Sequence, residues 1–497
     1  MGAQETYASP KEAGSKELVI AESTQADWTA SEERQAKRKI DFILLPILGL
    51  AFFALQCDRT NIANALTDTI TEDLHVTTNQ INVGTSLLSA GIVILEIPSN
   101  ILLQKIGPQR WLSFQIIGWG LVATFQAFAT NYAGYLVTRI LLGLCEAGFI
   151  PGALYTMSTW YKKSETSLRI SIFFLGNILA SATVSLIGAG ILTMAGRYGV
   201  AGWRWLFIIE GVMTVGIGII FILFLPPSVG NGKPLISCGK WSYFTPHEQY
   251  ILVRRVLLDD PAKTTSQVSI SGRDVWQTVR NPRILVHVLI TLTSMISVTA
   301  VQTYAPSIIK SLGFTPVQAN ALFSVGNFAA AVISVLLGFL ADRTKRRGPA
   351  AFIAALWSLI AYACLRQSVH FPKWNRYAAI VAATATNSVI HVVNVGWLSV
   401  NCTNPQQRSI AMAMIVMAAN AAGIAGGQVF RTQDAPLYLH AFTAMLSLAA
   451  VCLVTVLVQM AWYFWSNRRM AKTGTAPIVQ ARSADGGEIA QTWWWTW

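Results

Sequence analysis

Apolar residues run through this chain in twelve long blocks with polar connections between them. They lie near residues 41–64, 79–104, 111–130, 133–158, 167–194, 203–225, 283–307, 316–341, 349–367, 375–400, 408–430 and 437–465. A helix needs roughly 20 apolar residues to cross a bilayer, and each block is close to that length. A spanning backbone has no water to satisfy its amides and carbonyls, so these Leu-, Ile-, Ala- and Gly-rich blocks predict helices. One long polar stretch, Pro226 to Pro282, interrupts the series after the sixth block. The pattern predicts an all-α membrane protein with twelve transmembrane helices in two six-helix halves, residues 40–225 and 283–466. The central loop 226–282 is expected to be cytosolic and partly helical. The tails 1–39 and 467–497 are expected to be cytosolic and disordered.

Composition agrees with a polytopic chain. Only 12% of the 497 residues are charged and 53% are hydrophobic, whereas soluble domains carry about 25% charged residues. That excludes a soluble multidomain protein, and the same numbers exclude a disordered or collagen-like chain. The net charge of +13 reads as a record of topology rather than as a nucleic-acid surface. Of the 37 Lys and Arg, only Arg197, Arg204, Lys310, Arg366, Lys373, Arg376 and Arg431 fall in the connections opposite the tails. The positive-inside rule therefore places both termini in the cytosol of a multi-pass protein, expected in the plasma membrane. The six cysteines form no CxxC pair, so no metal site or disulfide framework is expected. No GxxxxGK[ST] cassette is present. In the central loop, Thr245-Pro246-His247-Glu248 has the form of a helix start, and the preferred reading is a solvated linker helix with no separate task; the alternative, from Ile251, Leu252, Arg254, Arg255 and Leu258, is an amphipathic helix on the inner membrane surface.

Six ionisable residues sit inside the apolar blocks: Asp58, Arg59, Glu96, Arg139, Glu146 and Glu210. A charge at the bilayer centre costs about 2.5–3.5 kcal/mol on insertion scales, so such residues normally face a cavity or a partner. Asp58 beside Arg59 suggests an ion pair that takes up a proton when a substrate carboxylate draws the guanidinium away. The alternative is a static structural pair. Arg139 and Glu146, seven residues apart, share one helical face with Gly143 between them. Glu96, beside Pro98, suits an inner gate, and Glu210 a structural or gating role. Arg59 and Arg139 are the charged candidates for binding the anion, and neutral candidates for orienting it are Asn61, Tyr155, Gln302, Tyr304, Asn327, His391, Asn394, Trp397 and Asn420.

The turn after the eighth block reads Gly338-x-Leu340-Ala341-Asp342-Arg343, and a weaker copy after the second has Asn100 and Gln104 at the corresponding places, then Lys105 and Gly107. The two copies lie about half a chain apart, as in transporters built from two repeats. Further pieces are Asp58-Arg59-Thr60-Asn61, Glu96-Ile97-Pro98-Ser99-Asn100, Arg139-x-x-x-Gly143-x-x-Glu146-Ala147-Gly148-Phe149, Gly202-Trp203-Arg204-Trp205 with Glu210-Gly211, and Pro306-x-Ile308-Ile309-x-x-Leu312-Gly313-Phe314. Over residues 40–466 this ordered set resembles the major facilitator superfamily, and within it the anion:cation symporters, most of all the fungal allantoate-permease-like transporters. The resemblance implies the major facilitator fold and a secondary transporter rather than an enzyme. It implies proton-coupled uptake of a small organic anion (a carboxylate, vitamin or ureide-like compound) by alternating access, with Glu146 in proton coupling and Arg139 organising the core. Lys105, Gly107, Gly338, Asp342 and Arg343, with Glu96, are then gating residues. No cofactor is expected beyond the proton gradient. The expected partners are the anion, protons and lipid, with no nucleic acid, and the chain is expected to be monomeric. The runner-up is an exporter or facilitator of a secondary metabolite on the same fold.

Overall fold

The computed structural model describes residues 27–259, 271–344, 346–386, 389–402, 405–473, 478–482 and 488–492. The first pass is α1 (Ala30–Ala65), followed by a short α2 (Ile70–Asp73). The second and third are α3 (Thr78–Ile106) and α4 (Pro108–Gln126). The fourth is split into α5 (Tyr132–Glu146) and α6 (Phe149–Trp160), and α7 (Lys163–Leu192) and α8 (Gly202–Phe224) complete the first half. The central connection carries α9 (Pro246–Asp259) and α10 (Gly272–Val279). The second half comprises α11 (Pro282–Ser311), α12 (Pro316–Thr344), α13 (Gly348–Gln367), the pair α14 (Lys373–Thr384) and α15 (Val389–Val400), α16 (Pro405–Gly426) and α17 (Leu439–Thr473). Ten of these helices or helix pairs are long and apolar enough to cross a membrane by length and composition. The other two, α4 and α7, fall where the third and fifth apolar blocks lie.

Local chemistry explains several boundaries. Thr29 and Glu32 form a reciprocal capping box at the start of α1, and Thr77 and Gln80 another at α3. Residues 30–39 are therefore helical, a departure from the disordered tail expected there. Gly107 turns the chain between α3 and α4 at φ 94°, and Pro108 fills the first helical position behind it. At the far end α17 runs on to Thr473, and an antiparallel hairpin, β1 (Ile478–Arg482) with β2 (Glu488–Thr492), follows. This too departs from a disordered tail. The Trp-rich terminus 493–497 lies outside the described residues.

The halves meet along α1 against α11, α3 against α16 and α7 against α12. Polar contacts between them gather at the end of the bundle away from the termini. There Asn82 donates to the Phe430 carbonyl at 2.5 Å and also receives the Tyr304 hydroxyl. Asn320 donates to Thr67 at 2.8 Å, and the Thr432 amide donates to Asn79 at 3.1 Å. At the opposite end, α9 docks on the first half through ion pairs. Lys39 meets Glu248 at 2.8 Å and Arg255 meets Glu165 at 3.1 Å, while Glu33 pairs with Lys162. Arg255, Ile251 and Leu252 are fully buried, so α9 packs on protein rather than lying on a membrane surface as its pattern suggested. Thr245 and Glu248 cap its start.

Candidate functional site

The ionisable residues of the first half converge in its centre, brought there by three helices. α1 supplies Asp58, Arg59 and Asn61; α5 supplies Arg139 and Glu146; α8 supplies Glu210 and Thr214. Gly143 is what lets α5 approach α3, because a Cβ there would collide with the Leu88 carbonyl. Two residues beyond Glu146 the chain breaks at Gly148, in the left-handed region at φ 85°. Glu146 thus ends its helix inside the protein.

The principal contact is an ion pair across helices. Arg59 Nε donates to Glu146 Oε2 at 2.7 Å, with the Arg59 side chain 24% exposed and Glu146 wholly enclosed. The sequence had suggested Asp58 as the partner of Arg59. Adjacent helical residues do not face each other, and the two side chains diverge. Asp58 is fully buried and accepts from Thr214 Oγ1 at 3.0 Å, with Glu146 and Arg139 as its charged neighbours. Arg139 and Glu146 do share a face, but seven residues separate them by about 10.5 Å along the helix axis. Arg139 instead lies over the rings of Tyr135 at 5.3 Å and Phe207 at 5.9 Å.

This centre is crowded with unsatisfied atoms. Asp58 Oδ1, both Glu210 carboxylate oxygens, both Asn61 amide atoms, Glu146 Oε1 and Arg139 Nε and Nη2 are buried without a hydrogen-bond partner. Such groups are rare in folded proteins and mark places where a proton, water or ligand acts. Glu210, treated from sequence as structural or gating, belongs to this cluster. Its signal was burial in an apolar block with no cation one turn away. Among the described residues, no group of three or more His, Cys, Asp or Glu is disposed to hold a metal ion.

The other candidates separate by position. Asn420 Nδ2 donates across the halves to Glu96 Oε2 at 3.2 Å, which joins a gating and a substrate candidate. Gln302 donates to Asn327 at 3.2 Å, leaving Gln302 Oε1 and Asn327 Nδ2 unpartnered and buried. Tyr304 lies at the end away from the termini, bonded to Asn82, with its ring 5.0 Å from that of Phe430. Asn394 and Trp397 are committed to an internal network. Asn394 is bonded to His287 Nδ1 at 2.6 Å and to Thr291 at 3.0 Å, His287 Nε2 meets the Tyr463 hydroxyl at 3.0 Å, and Trp397 packs edge-on to His287 at 5.0 Å. Sequence reading missed His287, although a His and a Thr four apart in one apolar block were its signal. His391 lines a cavity inside the second half with Ser297, Ser358 and Thr386, and its Nδ1 is unpartnered. Tyr155 is 38% exposed on α6. Lys105 and Arg343 are exposed at helix ends, Gly107 forms its turn, and Gly338 has open space where a Cβ would stand. The Asp342 side chain lies outside the described set.

Comparison with known proteins places this geometry. Residues 48–427 match the Major Facilitator Superfamily. The "MFS transporter prlL" of a fungal species is 30% identical over 85% of this chain and 84% of its own length. The "Major facilitator-type transporter hxnP" of Emericella nidulans is 27% identical over 97% of both chains. Among solved structures, a bacterial homologue of the human lysosomal transporter Spinster, in an inward-facing and occupied conformation, superposes with a TM-score of 0.63 at 15% identity, covering 86% of this chain and 97% of that one. The xylose transporter XylE from E. coli, partially occluded and inward open, gives 0.64 at 14% identity, covering 83% and 96%. These likenesses agree with the two six-helix halves, and the match over most of the spanning region shows that this chain belongs to the Major Facilitator Superfamily of multi-pass membrane transporters.

Proposed function

We propose that the chain is a proton-coupled symporter that takes up a small organic anion by alternating access, on the pattern of the anion:cation symporters its motifs resemble. The observation that carries this reading is the asymmetric ion pair. Arg59 keeps a quarter of its side chain accessible, while its partner Glu146 has none. A substrate carboxylate entering between the halves can be bound bidentately by the guanidinium, but only at the expense of Glu146. A carboxylate then left unpaired in a buried site is strongly unfavourable, of order 3–5 kcal/mol. Protonation removes that cost. Substrate binding and proton binding thus favour each other, which is the thermodynamic content of symport. Glu96 and Asn420, bonded across the interface, link the state of this site to the position of the second half. The energy source in this reading is the proton gradient, with no cofactor. The transporter works as a monomer in the plasma membrane, with its termini in the cytosol.

Uptake by a transporter-deleted host, over a panel of carboxylates, vitamins and ureides, identifies the substrate. For that substrate, uptake rises with external acidity and collapses with a protonophore, and Asp58→Asn alters the pH dependence. Uptake unaffected by the protonophore, or an Asp58→Asn transporter with the wild-type rate and pH profile, sinks the coupling reading.

A further inference from the structure

The buried centre of the first half contains three carboxyl groups, Asp58, Glu146 and Glu210, and two guanidinium groups, Arg59 and Arg139. One negative charge is therefore in excess. Arg59 is engaged with Glu146 at 2.7 Å, and Arg139 neighbours Asp58 and Glu146. Glu210 has no cation within ion-pair distance among the described residues, is fully enclosed, and has Asp58 and Asn61 as neighbours. Neither Glu210 oxygen is bonded to a donor, although Asn61 Nδ2, Trp119 Nε1 and Arg139 Nε and Nη2 are themselves unpartnered in the same centre, and Asp58 Oδ1 and Asn61 Oδ1 are further acceptors without a donor. A single proton on Glu210 removes the excess charge and gives these two acceptors a donor beside them.

We propose that Glu210 holds a resident proton through the transport cycle and presents it as a hydrogen-bond donor to Asp58, which makes it a positioning residue and not a second coupled site. The inference rests on the reading of this cluster as the coupling site. The titratable groups beside Glu210 are Asp58 and Cys57 from α1, and the other charges of the centre are Arg59 from α1 and Arg139 and Glu146 from α5. From α4 come only the neutral Trp119 and Gln126, both buried with unpartnered nitrogens. The described charges of α7, Glu165 and Arg169, are engaged at the terminal end with Arg255 and Asp41. Arg139, whose guanidinium lies over the Phe207 ring on the helix that carries Glu210, makes no ion pair with it. The proton that comes and goes is then the one on Glu146, while the proton on Glu210 stays.

Infrared spectroscopy of the full chain in nanodiscs, with and without carboxyl-13C glutamate, tests this directly. The expected result is a protonated-acid carbonyl band that shifts on glutamate labelling, persists from mildly acidic to mildly alkaline pH, and is lost in Glu210→Gln. The absence of such a band from the wild-type chain at neutral pH overturns the proposal, whether or not the variant folds. Transport gives a second arm. Glu210→Gln, the isostere of the protonated acid, is expected to keep the wild-type pH midpoint of uptake whatever its rate, while Glu210→Ala shifts the midpoint because Asp58 loses its partner. A shifted or flattened profile in Glu210→Gln shows an exchanging proton and overturns the proposal. Wild-type uptake that ignores pH would instead overturn the coupling reading, and the infrared band alone would then decide whether Glu210 holds a proton.

Discussion

At the centre of the first half stand Asp58, Arg59, Arg139, Glu146 and Glu210, charged and partly unsatisfied. Within the second half stand His287, Thr291, Asn394, Trp397 and Tyr463, with no carboxylate, lysine or arginine among them, and bonded or stacked to one another. Both halves split the fourth of their six passes, after Glu146 in one and after Thr384 in the other. The architecture is shared and the chemistry is not. A satisfied polar network fixes one arrangement of its helices. A charged cluster with missing partners instead stores the means to change protonation. On the proposed reading the first half carries the coupling, and the second is the rigid body against which it rocks.

The sharpest way to break this comparison is Arg59→Ala. It leaves Glu146 enclosed and unpaired, which costs about 3–5 kcal/mol, so a marked drop in thermal stability and no uptake are expected. Stability within experimental error of the wild type would mean that the pair contributes nothing. Asn394→Ala attacks the other half. It strands His287 and Thr291 at a cost of about 1–3 kcal/mol, seen as lower thermal stability, while the pH midpoint of uptake stays where it was. A moved midpoint would show that the second half shares the coupling chemistry. Asn420→Ala removes the bond that Glu96 receives across the interface. The expected effect is about 1 kcal/mol in the balance between conformations, read as a change in interhelical distance distributions by paired spin labels on α3 and α16. Unchanged distributions would remove Glu96 from gating.

The smallest effect lies outside the membrane, where α9 is strapped to the first half. Burial works against the charge on Glu33, but Lys162, Trp28 and Arg255 outweigh it and hold the carboxyl below its usual 4.5. Lys39 and Thr245 do the same for Glu248. A depressed carboxyl contributes stability above its unfolded value and loses it as pH falls through the folded one. The protection of α9 amides, their exchange rate relative to the intrinsic rate at each pH, is therefore expected to hold from neutrality down to about pH 4.5 and to fall below it. Constant protection across that range would mean the strap is held by Ile251 and Leu252 alone.

Much of this was legible in the sequence, for identifiable reasons. Twelve apolar blocks and the asymmetry of Lys and Arg follow from bilayer thickness and insertion cost, which act on local composition. That Asp58, Arg59, Arg139 and Glu146 turn inward in the first half followed from the cost of placing charge in a membrane. What could not be read was who faces whom. The Arg59–Glu146 pair depends on where α1 and α5 stand across the first half, and α5 is positioned in part by the close contact of Gly143 with α3, a tertiary fact. Asn394 and Trp397 looked like site residues because helical spacing gives a face but not what the face meets. Tyr304 likewise met Asn82 at the end away from the termini. Glu210 was undervalued because a single acid in an apolar block carries no sign of its neighbours.

The account depends most on Glu146 as the group that trades a cation for a proton. In proteoliposomes, Glu146→Gln should exchange labelled substrate across the membrane by counterflow, because a neutral residue there leaves Arg59 free for the anion. The same vesicles should fail to accumulate substrate when an inward proton gradient is imposed. Accumulation by Glu146→Gln to the wild-type level under that gradient would contradict the account.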